Sequence, residues 1–358
     1  MTIRSNRWWQ RLLMGLVLCS ALWGVPAHEA AAAVTCSANM SDPTFTNVDL
    51  VSGGTYSSTA TLNYSCSNSD NGTRYVRLCF NIGDGSGSPT HTDWKPRAML
   101  DTLTSNNKLT YQLYQGASPT TIWGSANNAN VPLPFSVFIT IAARVNSSTP
   151  RVYTGSTSMR AELSTGQAAV LPGDYTSSFS GGHTRFDYDY DSNSGQVAAN
   201  CESMVGTNSG TFPFTVRASV AKACFVNANP LDFGSVDGVP SSGNIDAQST
   251  ITVTCSKNTA YSVALLPSNG STTGNGSMAA QNTAPVTGNT DAIPYRLFRN
   301  SGRNQAWGNQ IGTNTVAVTA ASATANPTQT FTVYGRVPGL AAVQPDNYKD
   351  VVTVSVGY

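Results

Sequence analysis

Charge is scarce in this sequence. Lys plus Arg total 20 and Asp plus Glu 19, which is 11% of 358 residues with a formal net charge of +1, whereas ordinary soluble domains carry about 25% charged residues. Charge so sparse and balanced gives no electrostatic grip on nucleic acid or an acidic membrane, and no nucleic-acid partner is expected. Histidine is rare too: there are 3, His28, His91 and His183, and no Cys-x-x-Cys pair accompanies them. The spacing of a zinc site is absent, so neither metal nor cofactor is expected. No Gly-x-Ser-x-Gly elbow and no carboxylate pair stands out, which leaves no catalytic residues and points away from an enzyme. Asp187, Asp189 and Asp191 imitate the start of a calcium loop, yet Ser192 and Ala198 occupy the places that need Gly and Glu. Long apolar runs are missing as well. Leu12 to Val25 spans 14 residues, short of the roughly 20 that cross a bilayer, and sustained helical periodicity occurs nowhere else.

What is present begins with an export signal. Arg4, Arg7 and Arg11 precede that apolar run, and Ala30 to Ala33 supply small residues for cleavage, so residues 1–33 read as a signal peptide with maturation near Val34. Cys19 leaves with it. The mature chain then holds Cys36, Cys66, Cys79, Cys201, Cys224 and Cys255, an even set for an oxidising compartment.

The mature sequence contains one unit twice. Tyr111-Gln-Leu113-Tyr114 followed by Trp123-Gly124 matches Tyr295-Arg-Leu297-Phe298 followed by Trp307-Gly308, with identical spacing. Gly166 to Tyr175 aligns without a gap on Gly339 to Tyr348, sharing Ala-Ala-Val and Pro-x-x-Tyr. Cys36 precedes Phe45 by the same interval that separates Cys224 from Phe233. The units are residues 34–223 and 224–358. Because Leu113, Trp123, Leu297 and Trp307 occur in both, they are packing residues rather than binding residues. Period-two alternation in Ser57 to Cys66, Phe135 to Val145, Thr250 to Cys255, Phe331 to Arg336 and Val352 to Tyr358, with Gly, Asn, Ser and Pro clusters between, predicts an all-β protein of two antiparallel β-sandwiches. Six cysteines allow fifteen connectivities. The repeat selects Cys36–Cys66 and Cys224–Cys255 as equivalent bridges and leaves Cys79 with Cys201.

The copies differ at their ends. After Tyr175 the first continues through Phe186, Tyr188 and Tyr190, past Cys201, to a strand within Phe212 to Val220; after Tyr348 the second has only Lys349 to Tyr358. One strand lacks a counterpart, and its absence predicts unpaired backbone beside an apolar groove. Val352, Val354, Val356 and Tyr358 are expected to border that groove, with Leu231 and Phe233 opposite.

The Cys-x8-Phe start, the Tyr-x-Leu-Tyr/Phe with its Trp-Gly, and the Pro-x-x-Tyr ahead of a Val-rich last strand resemble the spore coat protein U domain family. The resemblance runs from Cys36 to Tyr358 and is strongest in the second unit. It implies immunoglobulin-like folds, with the second unit incomplete and completed by a donor strand in trans, as in pilins of archaic chaperone-usher pili. The implied partners are a periplasmic pilus chaperone, an outer-membrane usher and an adjacent pilin subunit that gives the strand. Cleavage near Val34 leaves about two residues before Cys36, so the mature chain is expected to accept a strand and have none to give. That is the behaviour of a tip adhesin, exported through the periplasm to the cell surface at the pilus tip. Its first unit is then expected to attach cells to an abiotic or host surface in biofilm formation.

Apolar residues found only in the first unit are the surface-binding candidates: Trp94, Val131, Pro132, Leu133, Pro134, Met204 and Val205, with Met99, Leu100 and Phe212 beside them. Two other readings stand: a secreted coat or matrix protein whose second unit is completed by self-association, and a carbohydrate-binding module with Trp94 on a stacking face.

Overall fold

The computed structural model describes residues 33–87, 96–104, 106–117, 120–126, 133–204, 208–236, 243–325, 328–339 and 342–358. The first unit packs two sheets face to face. The larger joins β1 (Val34–Met40), β2 (Thr44–Val48), β3 (Ser57–Asn68), β5 (Arg97–Asp101), β6 (Lys108–Gln115), β8 (Arg151–Leu163), β9 (Gly173–Phe179) and β12 (Phe214–Val220) in the order β1-β3-β8-β6-β5-β9-β12-β2. The smaller joins β4 (Arg74–Ile82), β7 (Phe135–Ile141), β10 (Thr184–Asp191) and β11 (Asn208–Thr211) in the order β11-β10-β4-β7. Alternate residues point inward, as the pleat demands: Ala60, Leu62, Tyr64 and Cys66 of β3 are buried while Thr59, Thr61 and Asn63 are exposed.

The second unit repeats the plan with fewer strands. β13 (Cys224–Ala228), β14 (Asn244–Cys255), β16 (Asn275–Ala280), β17 (Ala292–Phe298), β19 (Thr328–Pro338) and β20 (Tyr348–Lys349) form one sheet in the order β13-β14-β19-β17-β16-β20. The other has β15 (Tyr261–Pro267) between β18 (Val316–Val318) and β21 (Val352–Gly357). Each unit has its own hydrophobic core, with no residue common to both. The one α-helix among the described residues is the single turn and a half Ala320–Ala325.

The bridges are Cys36–Cys66, Cys79–Cys201 and Cys224–Cys255. The first and third join directly opposed residues of β1 with β3 and of β13 with β14. The repeated residues are internal and bonded alike. Trp123 donates its indole N–H to the Phe80 carbonyl at 2.8 Å, and Trp307 donates to Val263 at 3.0 Å. Tyr175 donates to the Leu171 carbonyl four residues back at 2.6 Å, and Tyr348 to Gln344 at 2.7 Å. In each unit these bonds pin the Trp-Gly segment to the facing sheet and fix the approach to the strand that carries the tyrosine.

The alternating run from Phe135 to Val145 is shorter than its pattern. β7 stops at Ile141, and Val145 is 54% exposed in the turn beyond. There Arg144 draws the chain away from the sheet, its N–H bonded to the Asp70 carbonyl and its guanidinium to Asn71.

Candidate functional site

In the first unit β12 lies between two walls, antiparallel to β9 and parallel to β2. Its inward residues Phe214, Val216, Ala218 and Val220 are all at most 4% exposed. Phe214 stacks on Phe179 with centroids 4.5 Å apart, and Ala218 stands between Tyr175 of β9 and Phe45 of β2. Among the described residues β12 is the only strand that β2 pairs with.

The second unit has both walls and, among the described residues, no strand between them. Residues 229–236, which follow Cys224 as β2 follows Cys36, form no strand. The reason is the ladder: with no equivalent of β12 beside it, this segment has no backbone partner on that side. Between it and residues 348–354 runs a cleft of about 440 Å³, continuous at Leu231, Phe233, Met278 and Tyr348 with a second cleft of about 620 Å³. Ile251, Leu265, Tyr295, Leu297 and Val333 form the floor, which is the core itself. Val48 is fully buried where its counterpart Val236 is 48% exposed, and Phe45 is buried where Phe233 is half-buried. Leu231 and Phe233 bend onto Gly335, where a Cβ would come within 2.5 Å of Leu231 and 2.9 Å of Phe233 and would displace both side chains.

Polar groups frame the far wall. Asp346 takes backbone N–H bonds from Asn282 at 2.9 Å, Thr283 at 3.1 Å and Asn347 at 2.7 Å, and the Asn289 amide at 3.1 Å. Burial works to raise its pKa, but these donors prevail and hold the carboxyl below the ordinary range. Asp350 receives the Tyr295 phenol at 2.5 Å. Burial, and then this bond to a carboxylate, push the Tyr295 pKa well above that of a free phenol. The cleft is thus apolar on its floor, with Leu231 and Phe233 beside the exposed Asp232 on the near wall and Asp346 and Asp350 along the other.

The sequence-derived groove residues divide. Leu231, Phe233, Val352 and Val354 line the cleft. Val356 packs half-buried on the core opposite Val263, while Tyr358 is 58% exposed beyond the end of β21 and does not line the cleft. Tyr295, Met278 and Asp350 line it without having been singled out. Asp350 could have been found by carrying the gapless Pro-x-x-Tyr alignment two residues further, where Ser177 meets Asp350.

The surface-binding candidates fare less evenly. Met204 is 1% exposed, its sulfur 3.4 Å from that of Cys79, because the Cys79–Cys201 bridge draws its segment onto the sheet. It packs rather than presents. Met99 and Phe212 are also core residues, at 0% exposure. Leu133 is 55% exposed and Pro134 partly so. Trp94, Val131, Pro132 and Val205 lie outside the described residues. Among the described residues no three His, Cys, Asp or Glu side chains gather as metal ligands, and no helix is long and apolar enough to cross a membrane.

No curated protein matches the chain. The chaperone–tip adhesion subunit pre-assembly complex CsuC–CsuE, from archaic chaperone-usher Csu pili of Acinetobacter baumannii, is similar over 90% of this chain and 100% of that one, with 16% identity and a TM-score of 0.46. The CupB6 tip adhesin from Pseudomonas aeruginosa covers 90% of this chain and 94% of its own at 12% identity and a TM-score of 0.29. CfaE, the adhesive subunit of CFA/I fimbria of enterotoxigenic Escherichia coli, covers 90% and 93% at 9% identity and a TM-score of 0.25. With a family model matched over residues 23–180 and again over 210–355, the chain belongs to the spore coat protein U domain family.

Proposed function

We propose that this protein is a fimbrial adhesin of the chaperone-usher kind whose second unit docks to the pilus by accepting a strand from a neighbouring subunit, and whose first unit makes the attachment. The observation that carries this reading is β12. In one copy of the repeat it fills the space between β9 and β2; in the other, the same walls enclose an open apolar cleft. A strand laid there would complete the backbone ladder and cover the floor, which is β-strand addition. β12 also stands immediately ahead of Cys224, and the second family match begins at residue 210, so it includes β12. The segment placed to act as the second unit's own leading strand is therefore spent inside this chain. A subunit that accepts a strand while its own leading strand is occupied belongs at the pilus tip, reached through the periplasm with a chaperone covering the cleft and an usher passing the subunit outward. Attachment to a surface and biofilm formation are assigned to the first unit, a non-catalytic role in keeping with a family of structural proteins.

The test is hydrogen exchange on the full chain with a peptide of residues 212–222, which copies β12. Protection is expected at residues 229–236 and 348–354, with the first unit unchanged. Absence of protection at both walls at millimolar peptide would sink the strand-accepting reading.

A further inference from the structure

The open cleft and its filled counterpart differ chemically at one position. In the first unit Ser177 of β9 is fully buried, stands opposite Val216 of β12, and lies beside the buried Tyr111 phenol. The repeat places Tyr295 on Tyr111 and, two residues beyond Tyr348, Asp350 on Ser177. A hydroxyl under the closing strand is thereby replaced with a carboxylate.

A carboxylate offers about four acceptor sites. Oδ1 of Asp350 takes the Ser268 hydroxyl and, at 2.8 Å, the Val351 N–H; Oδ2 takes the Tyr295 phenol. One site on Oδ2 and the whole charge are left for the cleft, which Asp350 lines. Among the described residues Asp350 makes no ion pair. While the cleft is open, water screens the charge. A strand seated as β12 is seated would cover it, and a covered carboxylate without a cation is costly. Lys349 also lines the cleft, but among the described residues it makes no ion pair with Asp350 and offers no relief.

Resting on the strand-accepting reading above, we propose that the natural occupant of this cleft carries a lysine or arginine at the position Val216 holds in β12, paired with Asp350. The flanking positions follow from the same template. The residue two before faces Val352 and is large and apolar, as Phe214 is against Phe179. The residue two after lies between Tyr348 and Phe233 and is small, as Ala218 is. The long side chain of the basic residue can lay its methylenes on the apolar floor and direct its charged end at Oδ2. Asp350 thus acts as a specificity determinant that favours one register and binds wholly apolar strands less tightly.

Two peptides of residues 212–222, one native and one with Val216→Lys, are titrated onto the full-length protein and onto its Asp350→Ser and Asp350→Asn variants. The lysine peptide is expected to bind at least about tenfold more tightly to the native chain, a preference that shrinks severalfold or reverses in both variants. Equal or weaker binding of the lysine peptide overturns the inference while leaving strand acceptance intact, and so does a preference that survives both substitutions. Failure of both peptides to bind the native chain overturns strand acceptance itself. Thermal unfolding of the variants shows that they fold; the two substitutions keep the test open if one does not.

Discussion

At the scale of single residues, the repeat is legible because each shared residue answers one physical need. Trp123 and Trp307 each fill a core and also donate the indole N–H to a carbonyl of the facing sheet, so both lost volume and a lost bond punish their replacement. Trp123→Ala is expected to lower the stability of the first unit by about 3–5 kcal/mol, and Trp307→Ala that of the second. Thermal unfolding should show each substitution moving one transition and sparing the other. Met204 shows where reading by composition fails: an apolar residue in a Gly- and Asn-rich stretch looks exposed until the Cys79–Cys201 bridge draws it inward.

Charge at this scale is legible only in part. Asp246 and Arg336 belong to opposed residues of β14 and β19, and the guanidinium grips the carboxylate through two bonds of 2.7 and 2.8 Å, with Arg303 at 3.2 Å. The hydrogen bonds from Arg336, aided by the charges of Arg303 and Arg336, outweigh the desolvation penalty and hold the Asp246 pKa below its ordinary value. For a carboxyl depressed in the folded state, the stabilisation is complete above the unfolded-state pKa. It drains away as pH falls through the carboxylate range and past the folded-state value. Because the side chains are about a third exposed, the loss is expected to be modest, about 0.2–1 kcal/mol. Denaturant titrations of the native chain and Asp246→Asn at pH 7 and at pH 3 should differ less at the lower pH.

At the scale of elements, the missing strand was visible as an inequality in length between two aligned tails. Its consequence for the opposite wall was not. Residues 229–236 keep the Cys-x8-Phe spacing of β2, and nothing in their composition says that they lose strand structure. They lose it because a short edge strand is held by its neighbour's hydrogen bonds rather than by propensity. The same dependence should run the other way in the first unit. Phe214 stacks on Phe179 at the start of β12, so Phe214→Ala removes a core ring and loosens the strand that holds β2. The expected cost is about 3–5 kcal/mol, with hydrogen exchange at residues 44–48 and 173–179 accelerated together and exchange in the second unit unchanged. Loss of protection in β9 alone, with β2 still protected, would show that β2 holds without its neighbour.

At the scale of the whole molecule, the low charge noted at the outset bears on the open cleft. A protein with formal net charge +1 repels its own copies weakly, and this one presents an apolar floor beside unpaired strand edges, a template for pairing with another chain. The isolated protein is therefore expected to self-associate with rising concentration, and a peptide copying β12 should suppress that association by filling the cleft. Alternation along the last strand separates this cause from general stickiness. Val354 lines the cleft, whereas its neighbour Ser355 is exposed on the opposite face of β21 and does not line it. Val354→Glu places a charge where a strand must be covered and should weaken peptide binding at least about tenfold, equivalent to about 1.4 kcal/mol. Ser355→Glu adds the same charge on the outer side and should leave binding within about twofold, so sedimentation and peptide titration of the two variants measure the cleft against the surface. If both substitutions reduce self-association equally and neither alters peptide binding, association arises from net charge and not from the cleft.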